Sequence, residues 1–168
     1  MKIALLSDTH GYMGPDITAL LHGVDEIWHA GDIGPGTVIE MLEEVAPVRS
    51  VYGNIDTSTI RDKSPLNQLF ELEGLKIFMT HIGGYPGRYT ARVRSLIKAE
   101  RPNIYICGHS HILKVMPDHK YKLLHMNPGA CGHHGFHKVR TILRFELLAG
   151  EVKNMEVVEL GKRGSNHS

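Results

Sequence analysis

The sequence predicts an α/β protein in which two β-sheets pack together with helices on the outside. Three features predict it: the N-terminal third alternates strand and helix, the middle holds a hairpin, a helix and a buried strand, and the last part runs through short strands with no helix between them. Alternation signals a parallel sheet with covering helices. Helix-free strands at the end require antiparallel partners as well, so neither sheet is purely parallel.

Taken in order, KIALLS, ending at Ser7, is a short apolar run closed by turn residues, as a strand buried on both faces requires. Pro15 and Asp16 open a helix with Ile17, Leu20 and Leu21 on one side and Gly23 at its C-terminal end. EIWHA, ending at Ala30, is the second strand. In the next helix Thr37 and Glu40 form a capping box, Val38, Met41, Leu42 and Val45 make one apolar stripe, and Pro47 is the stop. VRSVY, ending at Tyr52, is the third strand, and NQLFELEG and LKIFMTH meet across Glu73 and Gly74 as a hairpin. A helix with Tyr89, Val93, Leu96 and Ile97 on one side leads to Pro102, and NIYIC is another buried strand. ILKVMP, KLLHMN, TILRFELLAG and EVKNMEVVEL follow as strands. Residues 1–160 read as one domain, and GKRGSNHS, residues 161–168, as a frayed tail with nothing to bury.

A chain of 168 residues buries about 70% of its unfolded surface, so a real core is available. Hydrophobic residues at 42% and charged residues at 22% fit a soluble globular protein. No apolar run approaches the roughly 20 residues of a membrane span, and no membrane partner is expected. MKIALLSDTHG reads as a first strand, its apolar run too short for a secretion signal. Two cysteines, Cys107 and Cys131, form neither a disulfide framework nor a Cys-x-x-Cys motif, which points to a reducing compartment and a cytoplasmic location. A net charge of +1 supplies no field to gather nucleic acid, so that partner is not expected, while a homo-oligomer stays open. The unusual figure is 12 histidines, since imidazole binds metals and carries protons near neutral pH.

Five predicted strands end in similar chemistry: Asp8 and His10, then Gly31 and Asp32, Gly53 and Asn54, His81, and finally Gly108 with His109 and His111. Parallel strands bring their C-terminal ends to one rim, so these seven donors should converge. Each fragment alone is an ordinary turn; the recurrence at five strand ends carries the weight. The glycines that precede donors let the backbone turn sharply or approach another group. Two carboxylates, four imidazoles and an amide, without a thiolate, suit borderline divalent ions such as manganese, iron or zinc. Seven donors exceed one tetrahedral centre and suit two ions sharing a carboxylate, with Asp32 the central candidate for the bridge. Such pairs, about 3.5 to 4 Å apart, activate water and clamp a phosphoryl group. His109 and His111 would each face a different ion.

In order along the chain, Asp8-Thr9-His10, Gly31-Asp32, Gly53-Asn54, His81 and Gly108-His109-Ser110-His111 resemble the pattern of the calcineurin-like metallophosphoesterase superfamily. GNID and the later NPGA look more like its small bacterial and archaeal phosphodiesterases than its phosphoprotein phosphatases. The resemblance spans most of the chain and implies a four-layer α-β-β-α sandwich of two mixed sheets. It implies a dinuclear metal-dependent hydrolase, best read as a phosphodiesterase of a small soluble phosphate ester. Asp8, His10, Asp32 and His111 would hold one ion and Asp32, Asn54, His81 and His109 the other, with catalysis resting on Asp32, Asn54 and His109. Manganese is the first expectation for both ions, with iron, zinc or nickel as alternatives. Two divalent ions against two carboxylates leave a positive surplus that mildly favours a diester monoanion. Where many members place a histidine after the asparagine, this chain has Ile55, so that residue's role is not carried over. Esters with good leaving groups should then react best. Asp56 is as readily a helix cap as the support of such a histidine.

Two other functions compete: a noncatalytic metal-binding scaffold or interaction module of the same fold, against which the intact donor set argues, and a nuclease, disfavoured by the charge balance. His29 is expected to be packed rather than ligating. For His133, His134 and His137 in GHHGFH, contact with substrate and a solvated loop both stay open. Arg88 reads as a surface residue, His22, His119, His125 and His167 as surface or packing, and Arg92, Arg94, Lys98 and Arg101 as a solvated helix face.

Overall fold

The computed structural model describes residues 1–164, so His167 lies outside the described residues. The elements run β1 (Lys2–Leu6), α1 (Pro15–Thr18), a 3-10 turn (Ala19–Leu21), β2 (Glu26–His29), α2 (Thr37–Glu43), β3 (Val48–Ser50) and α3 (Ser58–Lys63). They continue with β4 (Asn67–Leu72), β5 (Leu75–Thr80), α4 (Ala91–Glu100), β6 (Ile104–Ile106), β7 (Leu113–Asp118), β8 (Leu123–Pro128), β9 (Val139–Leu148) and β10 (Glu151–Lys162).

Two five-stranded mixed sheets result, ordered β10-β9-β1-β2-β3 and β4-β5-β6-β8-β7. In the first, β1, β2 and β3 are parallel and β9 and β10 antiparallel. In the second, β5, β6 and β8 are parallel, with β4 and β7 antiparallel at the edges. The period-2 alternation of a strand sorts β1: Ile3 and Leu5 join Trp28, Leu143 and Phe145 against Ile77, Met79, Ile104 and Met126 of the other sheet. Ala4 and Leu6 turn outward onto Ile17, Val38, Leu42 and Ile60 of the helices. This is why KIALLS is apolar throughout. On the far side, α4 lays Val93 and Ile97 over Phe78, Tyr105 and Leu123, completing four layers, α-β-β-α. None of the described helices is long and apolar enough to cross a membrane.

Several local expectations change. The first helix tightens into a 3-10 turn after Thr18. The capping box on α2 does not form: Thr37 is already helical, Gly36 holds the N-cap position, and no side chain caps the turn. Ile39 is buried in place of Met41, which is 39% exposed. Glu73 and Gly74 do make the hairpin, both at positive φ. Arg92 is more than solvated surface, donating to Asn67 Oδ1 (2.8 Å), Thr80 Oγ1 (3.0 Å) and the Ile82 carbonyl (3.2 Å). β10 reaches into the expected tail, with Gly161 and Lys162 paired to Arg140 and Val139; residues 165–168 lie outside the described residues.

Candidate metal centre

Each of the seven predicted donors stands in the loop directly after a parallel strand: β1 for Asp8 and His10, β2 for Asp32, β3 for Asn54, β5 for His81, β6 for His109 and His111. Backbone hydrogen bonds tie these loops together within each sheet. Asp8 N–H donates to Gly31 O (2.9 Å), His10 N–H to Asp32 O (3.0 Å), and Gly108 N–H to His81 O (3.0 Å). Asp8, His10, Asp32, His109 and His111 all take positive φ, between 46° and 69°. That conformation costs a non-glycine residue roughly 1–2 kcal/mol, a cost the loops bear to aim the side chains inward. Gly31 (φ +99°) shows the close approach its position suggested: a Cβ there would lie 2.6 Å from His81 Nδ1.

Two groups of ligand atoms form, Asp8 with His10 and His111, and Asp32 with His81 and His109, each within 4.8 Å of one another. Asp32 faces both, its Oδ2 3.3 Å from His81 Nε2 and 3.5 Å from His10 Nε2. Asp8 Oδ1 lies 3.0 Å from His111 Nε2 and 3.9 Å from the Nε2 atoms of His10 and His81. Asn54 Oδ1 is 3.0 Å from His109 Nδ1. All seven residues therefore meet at one place.

Hydrogen bonds around the cluster decide which atoms face into it. Asp8 Oδ2 accepts from Ser7 Oγ (2.6 Å) and His109 N–H (3.2 Å), which leaves Oδ1 turned inward. His81 Nδ1 is 2.7 Å from the Ala30 carbonyl, an acceptor only, so the ring proton sits on Nδ1 and the Nε2 lone pair points at Asp32. The same logic links two rings. His137 Nε2 donates to the Gly132 carbonyl (2.9 Å), its Nδ1 then accepts from His111 Nδ1 (3.2 Å), and the lone pair of His111 Nε2 is left facing Asp8 Oδ1. A nitrogen lone pair and a carboxylate oxygen at 3.0 Å repel unless a proton or a cation lies between them. Asp8 Oδ1, His10 Nε2 and His81 Nε2 are buried without a hydrogen-bond partner among the described residues. Buried acceptors left bare in this way are expensive, and divalent cations held by the two groups would satisfy them.

Burial lowers the pKa of His10, only partly offset by Asp32 and Asp8, and burial likewise lowers that of His109. Both are thereby kept neutral, the form that binds metal. Burial pulls on His81 too, but in metal-free protein the Asp32 and Asp8 carboxylates beside the ring favour its protonated form and raise its pKa. Burial works against the Asp32 carboxylate, yet the His81 imidazole beside it and the hydrogen bond from Ile55 N–H hold its pKa below the ordinary value.

The loop carrying GHHGFH, left open from the sequence, belongs to the site. His137 holds His111, and the His134 ring lies 4.6 Å from that of His10. Both line, with Phe136, a cavity of about 420 Å³ over the cluster. The signal was present in three histidines just before a strand, but only the pairing of β9 with β1 brings them to Asp8. His29 is packed, its Nε2 3.0 Å from Thr9 Oγ1 and its Nδ1 accepting from Gly31 N–H. Asp56 does not cap α3, where Thr57 is the N-cap. Its carboxylate instead accepts from the N–H groups of Ile33 (2.9 Å), Gly34 (2.9 Å) and Gly53 (2.7 Å).

A sandwich of two mixed sheets with paired carboxylate-imidazole clusters at the strand ends defines the class of metal-dependent phosphoesterases. The profile of the calcineurin-like phosphoesterase superfamily domain matches residues 1–150, and the chain belongs to that superfamily. It is 29% identical over 137 residues, 77% of each chain, to the "Probable metallophosphoesterase" of Methanothermobacter thermautotrophicus. To the protein of the same description in Mycoplasma pneumoniae it is 32% identical over 117 residues, 66% of this chain and 68% of the other. Among solved structures, a novel archaeal phosphodiesterase superposes with a TM-score of 0.72 at 25% identity, over 94% of this chain and 100% of that one. Vps29 of Entamoeba histolytica in complex with zinc, 17% identical and matched over 96% of this chain and 100% of its own, has a TM-score of 0.72 and shows the shared fold. By these relationships the protein is a hydrolase of the metallophosphoesterase kind.

Proposed function

We propose that the chain is a phosphodiesterase that hydrolyses a small phosphate ester at a two-ion centre. The observation that carries this reading is the set of bare acceptor atoms on Asp8, His10, His81 and His111 converging with Asp32 between the two groups. Asp8, His10, Asp32 and His111 would hold one ion, and Asp32, Asn54, His81 and His109 the other. Divalent ions, manganese first with iron, zinc or nickel as alternatives, supply when bound the Lewis acidity that makes water nucleophilic near neutral pH and offsets charge on a phosphoryl group.

The chain's own contribution is orientation and charge. His81 and His111 present fixed tautomers, and Asp32 supplies a carboxylate to both halves. Ile55, 43% exposed at the rim, offers only its backbone N–H, and that donates to Asp32 Oδ1 (3.1 Å). The leaving group receives no proton from this position, so aryl diesters should outrun alkyl ones. Likeness to an archaeal phosphodiesterase supports diesters over monoesters.

The test is a panel of phosphodiesters, monoesters and cyclic nucleotides run with each metal, with Asn54→Ala and His109→Ala beside the parent. Turnover should require added metal and fall about a hundredfold or more in both variants. Absence of bound metal and of turnover across the panel would instead favour a noncatalytic module, and undiminished variants would refute the site.

A further inference from the structure

Beside the metal centre a second cavity, of about 350 Å³, opens on the outer face of the second sheet. His109, Ser110 and Ile112 line both cavities, so the two adjoin at these residues. Ile82 and Tyr85, from the loop after β5, form one side of the new cavity; Lys114 of β7 and His125 of β8 form the other. Register explains the second pair. Lys114 stands opposite Asn127 and Met116 opposite His125, so alternate residues of the two strands share the outward face.

The lining has a definite chemistry. Ile112 is 63% exposed, and Ile82 and Tyr85 are exposed beside it, an apolar rim at the junction with the metal centre. Lys114 Nζ sits 4.4 Å from the centre of the Tyr85 ring, which places a cation at the level of an aromatic face. His125 is 1% exposed, and its Nδ1 has no hydrogen-bond partner among the described residues. Burial pushes its pKa down to about 4, with Lys114 adding to the effect, so the ring is neutral at pH 7 and offers one donor and one acceptor. A buried polar ring atom without a partner is uncommon and costly in a folded protein.

We propose that this cavity receives one ester arm of the substrate, and that the arm is an aromatic or heteroaromatic ring with a polar edge. The inference rests on the phosphodiesterase reading of the adjoining centre and narrows its substrate class. A planar ring covers Tyr85, Ile82 and Ile112, and an acceptor on its edge reaches the Lys114 ammonium. The volume lies in the range of ligand pockets, about 300–1,000 Å³. A methyl or ethyl arm leaves these groups unused.

The test reads binding, not turnover. Zinc-loaded protein labelled at its isoleucine methyl groups is titrated with dimethyl phosphate and with diphenyl phosphate, and followed by NMR. Ile55 reports on the metal centre's cavity and Ile82 on the second cavity. Dimethyl phosphate should move Ile55 alone. Diphenyl phosphate should move Ile82 as well and bind about tenfold tighter or better, an advantage that shrinks towards one in Tyr85→Ala and in Ile112→Ser, both changes at exposed positions that leave the core untouched. Ile82 unmoved by diphenyl phosphate, or equal affinities for the two compounds, overturns the proposal whether or not Ile55 moves. Ile55 unmoved by both compounds overturns the reading of the centre and the ester-arm proposal with it, whereas Ile55 moved by both with Ile82 unmoved overturns the proposal alone.

Discussion

At His111 the position of one proton decides what the side chain can do. Its Nδ1–H is taken up by His137, and only for that reason does its Nε2 lone pair point at Asp8. Partners of this sort orient a ligating ring and raise its basicity, and their loss typically costs about 10- to 100-fold in metal affinity. His137→Phe should therefore weaken zinc binding by that factor in a chelator competition, and His137→Gln, which keeps an acceptor, should recover part of it. Equal affinity in the Phe variant would mean that His111 needs no such guide. The seven donors were legible because each follows an apolar run that reads as a strand. His137 was not, because nothing in GHHGFH says which neighbour it meets. Nor could composition show that five of the donors sit at positive φ, since even Asp and His, several-fold enriched there, mostly take other conformations.

At the scale of elements, loops rather than helices carry the site, and Asp56 joins two of them. One buried carboxylate accepts from backbone N–H groups on the loop after β2 and on the loop after β3. It thus fixes Asp32 relative to Asn54. Sequence reasoning left Asp56 as a helix cap or the support of a histidine, both local roles; a clamp between loops depends on β2 pairing with β3 and has no local signature. The capping box on α2 failed for the complementary reason: the right residues stood one position too far into the helix. Asp56→Ala leaves three N–H groups, at Ile33, Gly34 and Gly53, without their acceptor. At about 1–3 kcal/mol for each buried donor left unpaired, the loss should reach about 3 kcal/mol in urea unfolding, accompanied by weaker metal binding. A variant as stable as the parent would show that water replaces the carboxylate freely.

Across the whole molecule, both sheets bury a histidine that is not among the expected ligands, and this makes stability depend on pH. His29 in the first sheet and His125 in the second are held neutral, each with its pKa pushed by burial from 6.5 to about 4. Between those values the unfolded chain binds protons that the folded chain refuses. Their contribution is therefore complete above pH 6.5 and drains away as the pH falls towards 4, by up to about 1.4 kcal/mol per pH unit for each ring. His10 and His109, also lowered by burial, act in the same direction in metal-free protein. His81 acts in the opposite one, because its pKa is raised and its contribution is lost as the pH rises. Asp16, Glu26 and Asp32 are all held below their ordinary values by hydrogen bonds, so their contributions fail only in more acid solution. Urea unfolding of metal-free protein at pH 7.5, 6 and 5 should show stability decreasing at each step. In His125→Phe the decline should be shallower, since one of the refused protons is gone whatever the variant's absolute stability. A flat profile from pH 7.5 to 5, or an unchanged slope in the variant, would mean that the interior admits a charged imidazole and that the two sheets do not exclude water from these rings.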